Sequence, residues 1–173
     1  FINSSCLNNM KKLLFLFILI FFCESITAQP RPLSSAAKIS LLTCSPGEAI
    51  YELFGHTAIR VKDPSQGLDL VFNYGIFDFD TPNFVVKFVR GKLLYKLGVD
   101  QFRRFKYQYV VQNRLVIEQV FNFNPIEKQT VFDYLLNNAK PENANYQYDF
   151  FFDNCSSRVF DVLKDTLGQS LTY

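Results

Sequence analysis

From Ile39 onward the chain never holds one hydrophobic period for long. Short strand-like and helix-like runs alternate, each punctuated by Pro, Gly, Asn or Asp, and a chain of that grain folds as a sheet with helices packed on it. Residues 39–44 are a short apolar run and read as a buried strand, and Pro46-Gly47-Glu48 opens a short helix ending at Gly55. Residues 56–61 alternate and are β-branched, a turn at 63–67 follows, and 68–75 is the hairpin partner. Thr81 before Pro82 caps a helix whose stripe is Phe84, Val85, Phe88 and Val89, with Gly91 as its stop. A strand at 93–99, a helix capped by Asp100 with Phe102, Phe105 and Tyr109 on one face, and a strand at 114–123 come next. Asn124, Pro125 and Glu127 supply the cap, the first helical position and the capping-box acid of a helix reaching about residue 138. The last helix starts at Cys155 or Ser156 and runs to Leu167 before Gly168. The expected class is α+β, with four to six mostly antiparallel strands.

The start of the chain stands apart from this pattern. Met10, Lys11-Lys12, an apolar run at 13–22 and Ser25-Ile26-Thr27-Ala28 have the order of a secretory signal peptide cut after Ala28. The run is about half the ~20 residues a membrane span needs, and Phe22 before Cys23 is too bulky for a lipobox. The expected organisation is upstream translated residues at 1–9, a signal peptide at 10–28, a linker at 29–37 and one domain at 38–173. Removal of Lys11, Lys12 and Glu24 leaves 16 basic and 15 acidic residues. It also leaves two cysteines, Cys44 and Cys155, in an oxidising compartment, where two surviving thiols often pair, so a Cys44–Cys155 disulfide stands beside the free-thiol reading.

Scarcity restricts the chemistry. His56 is the only histidine and no C-x-x-C occurs, which excludes a metal site built on several His or on paired Cys. P-loop, dinucleotide-fold and G-x-S-x-G signatures are missing. What remains is one His at the start of a strand and one Cys at the start of a helix. Asp153 or Asn154 can cap that helix, and the helix dipole with its first-turn N–H groups then favours a thiolate and can hold an oxyanion. His56 can take and return the proton, and Asn73 on the paired strand can orient its ring. The competing reading is a structural His, a Cys acting as a small hydrophobe and an Asn ending a strand.

Four segments carry a resemblance: LLTCSPG at 41–47, LFGHTAIR at 53–60, NYGIFDF at 73–79 and YDFFFDNCSSR at 148–158. Together they resemble the Lnb N-terminal periplasmic domain family over roughly 38–167. The resemblance implies a permuted NlpC/papain-like thiol fold, related to that of lecithin:retinol acyltransferase, with His before Cys in chain order. It implies a bacterial lipoprotein N-acyltransferase without a cofactor, with Cys155 as the nucleophile forming a thioester and His56 as its base. The implied partners are a phospholipid acyl donor and the lipidated N-terminus of a lipoprotein, at the periplasmic membrane surface. Such enzymes typically continue into transmembrane helices, so the expectation is a piece of a longer protein or a relative lacking the membrane part.

Charge patterning bears on the partner. Residues 87–106 hold seven basic side chains and one acid, Asp100, among aromatics. Arg90, Lys92, Arg103 and Arg104 are the candidate lipid or phosphate contacts, against the alternative of a solvated helix face. No nucleic-acid motif accompanies the patch. Two other function classes stay open: a cysteine peptidase or amidase acting on the cell wall with the same Cys-His site, and a non-catalytic envelope-binding domain. The aromatic run at 146–152 favours an acyl chain over a polar wall peptide, against a role in core packing.

Overall fold

A computed structural model describes residues 31–78 and 80–168; the candidate signal peptide and the residues before it lie outside that range. In chain order the strands are β1 (Lys38–Cys44), β2 (His56–Asp63), β3 (Leu68–Phe77), β4 (Leu94–Gln101), β5 (Val116–Val120) and β6 (Asn145–Gln147). The helices are α1 (Phe84–Val89), α2 (Phe102–Val111), α3 (Pro125–Asn138) and α4 (Cys155–Leu167). The described strands form one sheet in the order β5-β1-β2-β3-β4-β6, every pair antiparallel. The α+β expectation holds at this level.

Side-chain alternation sorts the strands into two faces. Ile39, Ile59, Val61, Phe72 and Tyr74 face Val131, Phe132 and Leu135 of α3 and Val159 and Val162 of α4. Burial of each large apolar side chain contributes roughly 1.5–3 kcal/mol. The opposite face carries Leu42, Cys44, Ala58 and Val71, closed by Phe105 and Tyr109 of α2. Arg60 lies on that second face, bonded to Asp69 and Glu118 with its guanidinium 3.5 Å from the centroid of the Phe102 ring.

The β2–β3 turn explains how the start of the compact unit is fixed. Asp63 is fully buried. Its carboxylate caps the 3-10 turn at Pro64–Gln66 and accepts from the Ser65 N–H, from the N–H and hydroxyl of Ser34, and from Gln66 Nε2. Leu33 N–H donates to Gln129 Oε1, and Ala37 is buried. The described part of the expected linker is therefore bonded to the fold, and the compact unit begins at Pro32.

Several local readings need correction. The expected helix at 46–55 is a series of bends and turns, held at its ends by Gly47 N–H and Gly55 N–H to Glu52 O. Arg114 replaces helical bonding here, donating to Ser45 O and pairing with Glu52 at 2.8 Å. Thr81 does not cap α1: the cap position is Asn83, in the left-handed region at φ 57°, and Val85 and Val89 of the expected stripe are exposed. Asp100 does not cap α2. Its carboxylate takes the Gln101 N–H and pairs with Arg104, while Gln101 occupies the cap position. β5 covers only the middle of 114–123, because Arg114 turns inward to Ser45 and Phe121 and Phe123 stack on each other beyond the strand. The Asn124–Glu127 capping box of α3 forms as expected.

Candidate functional site

α4 places the sulfur. Asn154 is its cap, accepting from Ser156 N–H at 2.9 Å and Ser157 N–H at 3.1 Å, while the Ser157 hydroxyl accepts the Asn154 N–H. Cys155 is thus the first helical residue, and the cap does not use its N–H. The preceding turn is closed on itself: Asp149 and Asp153 exchange backbone hydrogen bonds, and Asp149 Oδ1 accepts the N–H groups of Phe151 and Phe152. Asp153, the alternative cap, pairs with Arg158, whose guanidinium lies 4.4 Å from the centroid of the Tyr146 ring.

β2 and β3 place the base. Gly55, at φ 74°, turns the chain into β2; a Cβ there would sit 2.6 Å from Cys44 O, so no other residue fits the entry. His56 opens the strand opposite Cys44. On β3 a bulge between Asn73 and Ile76 shifts the register against β4 and re-aims this stretch. Asn73 Oδ1 lies 2.6 Å from His56 Nε2. An amide oxygen there accepts, so Nε2 carries the hydrogen and Nδ1 is left as the nitrogen able to receive a proton from a thiol. Gly75 makes the room, since a Cβ on it would meet His56 Cε1 at 2.6 Å and Asn73 Oδ1 at 2.8 Å.

The structure brings Cys155, His56 and Asn73 together. Burial pushes the Cys155 thiol up, but a hydrogen bond to His56, the His56 charge, and bonds from the Thr57 N–H and hydroxyl outweigh it and hold the thiol down to about 6. Cys44 is its opposite: burial raises it to about 11, against the Tyr109 hydroxyl and the Arg114 charge. Both cysteines are free thiols rather than a disulfide. At neutral pH one is a thiolate and the other a protonated core residue.

Around the pair lies a cleft of about 290 Å³. His56, Asn73, Glu52, Gln108 and Arg114 give it a polar side; Tyr51, Phe77, Tyr95, Tyr109 and Tyr148 give it an aromatic one. Tyr95 and Tyr148 stack at 4.3 Å. Burial keeps both phenols protonated, helped at Tyr95 by Tyr148 and then the Cys155 charge and at Tyr148 by the Cys155 charge and then Asp149, Tyr148 being pushed up to about 12. Sequence reasoning missed Thr57, Gly75, Glu52 and Arg114. Only Thr57, next to His56, and Gly75, two residues after Asn73, had a visible signal, as near neighbours of candidate residues.

The aromatic run at 146–152 divides: Tyr146 is buried, Tyr148 lines the cleft, and Phe151 and Phe152 are exposed. Arg90 and Lys92 flank Gly91 after α1, whereas Arg103 and Arg104 lie in the first turn of α2, where Arg104 pairs with Asp100 at 3.5 Å. None of the four lines the cleft. Among the described residues no group of His, Cys, Asp and Glu is placed to hold a metal ion.

A thiolate at a helix start, with a histidine oriented by an asparagine, is a constellation able to attack an acyl carbonyl. The chain belongs to the Lnb N-terminal periplasmic domain family, whose model matches residues 32–172. Comparison with curated proteins and with solved structures gives no match. No described helix is long and apolar enough to cross a membrane.

Proposed function

We propose that this domain is the catalytic part of a lipoprotein N-acyltransferase, carrying a fatty acyl chain from a membrane lipid through a Cys155 thioester to the N-terminal amine of a lipoprotein. The observation that carries the reading is the Cys155 thiol held down to about 6 beside His56 in a cleft walled by aromatic rings. The thiolate attacks the ester carbonyl of the donor, forming the C–S bond, and the Cys155 N–H at the helix start is the natural donor to the oxyanion. Collapse expels the lipid alkoxide, which takes its proton from the His56 imidazolium. In the second half His56 accepts the proton of the attacking amine, the amide forms and the thiolate leaves. Asn73 keeps the ring in one tautomer throughout. The chain order, His strand before Cys helix, supports a permuted NlpC/papain-like topology. Export behind a signal peptide cleaved after Ala28, and lipid contact through Arg90, Lys92, Arg103 and Arg104, belong to the same reading.

Incubation with phospholipid vesicles should add the mass of one acyl chain to Cys155, removable by hydroxylamine, and a diacylated lipopeptide with a free amine should discharge it. Cys155→Ala and His56→Ala each abolish this, with losses that do not add in the double variant. Asn73→Ala costs up to about 100-fold, the range expected for a misoriented group. Cleavage of a wall-peptide amide with no acyl adduct would instead make the domain a hydrolase, and neither activity would make it a binding domain.

A further inference from the structure

We propose that the turn at 149–153, together with Phe54 and α1, forms a membrane-docking face that sets the mouth of the cleft against an anionic lipid surface. Phe54, Phe151 and Phe152 are 76, 78 and 84% exposed, and Val85 and Val89 are 58 and 70% exposed. The phenylalanines are connected rather than scattered. Phe54 meets Phe150 at 4.6 Å between centroids, Phe150 meets Phe151 at 5.0 Å, and Phe151 meets Phe152 at 6.4 Å. α1 joins them through Phe88, stacked on Tyr148 at 6.3 Å, and through Gly91 O, which accepts from Gln147 Nε2. Tyr148 and Cys155, which bracket the turn, both line the cleft. A connected apolar patch of this kind marks an interaction surface.

Charge selects a lipid surface as its occupant. Residues 84–94 contain Lys87, Arg90 and Lys92 and no acid. The turn's own acids are engaged, Asp149 by the N–H groups of Phe151 and Phe152 and Asp153 by Arg158. Phenylalanines protruding from a turn beside a row of cations suit the boundary between acyl chains and anionic headgroups. A protein partner would ask for a shaped, desolvated pocket instead. The inference deepens the acyl-transfer reading and rests on it for its purpose, because docking would deliver the acyl donor to the thiol without leaving the bilayer.

The chain has no tryptophan, so Phe152→Trp in a Cys155→Ala background is a single local reporter. With vesicles of phosphatidylglycerol and phosphatidylethanolamine its emission should shift to the blue and be quenched by brominated acyl chains. Ile126→Trp, exposed at the start of α3 beyond the opposite sheet edge, should do neither. Phe151→Ser with Phe152→Ser should weaken vesicle binding by about tenfold or more, and Arg90→Gln with Lys92→Gln should weaken it at low salt but not at high salt. All variants share the same N-terminus, so differences between them read the patch. A reporter at 152 that stays in water, equal quenching of both reporters, or self-association without vesicles that the double serine variant abolishes, would each overturn the proposal. Since the thiol is removed, docking and acyl transfer fail separately: vesicle binding without any adduct in the unmodified chain would sink the acyl reading alone.

Discussion

Cys155 and Cys44 show how far surroundings separate two identical side chains. Because Cys155 is held down to about 6, it is protonated below that pH and a thiolate above it. Its alkylation rate should therefore rise as pH passes through about 6 and level off above, a profile read by mass spectrometry of the labelled peptide. Cys44, raised to about 11, should resist the reagent across the same range. His56→Ala removes two of the groups' stabilising interactions with the thiolate, so the inflection should move toward the ordinary thiol value of about 8.5. Gly75→Ala should do the same without replacing a reacting group. The added methyl would displace His56 and Asn73, so acyl loading should fall by about 100-fold while the melting temperature changes little. An unmoved alkylation profile in this variant would mean that the ring has another way to yield.

At the scale of elements, the site depends on three short devices: the left-handed entry at Gly55, the bulge in β3 and the cap of α4. Asn154 holds two first-turn N–H groups and also donates to Phe150 O, so it joins the helix to the aromatic turn. Asn154→Ala should cost about 1 kcal/mol of stability, the usual worth of a cap, measurable by urea denaturation. Asn154→Asp should restore most of it, and a neutral alanine variant would show that the Asp149–Asp153 backbone pairing alone fixes the turn. The capping box of α3 is written in consecutive residues and could be read directly, whereas at α4 the local pattern left Asp153 and Asn154 as alternatives and the structure chose Asn154, with Ser157 closing the box. The expected helix at 46–55 failed for the converse reason: its local pattern is outweighed by Arg114, about sixty residues away in sequence, which draws Ser45 O and Glu52 into a different path.

For the whole molecule, Asp63 is the point where the start of the compact unit, through Ser34, meets the β2–β3 turn. Burial pushes its carboxyl up, but bonds from Ser34, Gln66 and Ser65 hold it below the usual aspartate value. A depressed carboxyl stabilises the fold above its unfolded pKa of about 3.9, and that contribution is lost as pH falls through the lower folded value. Acid unfolding of the unmodified chain should thus have a component below pH ~4 that Asp63→Asn lacks. Asp63→Ala should lower stability by about 2 kcal/mol or more, since several buried donors lose their acceptor. Proteolysis near residues 32–37 would report release of this segment from the fold. No effect on either would show that Ala37 burial and β1 pairing suffice to hold it.

The sequence by itself determined the α+β class, the capping box of α3, the hairpin at 63–67, the place of His56 at a strand start and of Cys155 at a helix start, and the family. Each of these rests on residues adjacent in the chain, where turn chemistry, capping and side-chain period act locally. Asn73 was legible as a partner for His56 from the hairpin, but tertiary structure alone decided that Thr57 bonds the sulfur, that Gly75 leaves the ring its space, and that Arg114 walls the cleft. It also decided which phenylalanines of 150–152 stay outside. Those outcomes depend on the order β5-β1-β2-β3-β4-β6 and on a one-residue bulge, and pairing between distant strands leaves no local pattern to read.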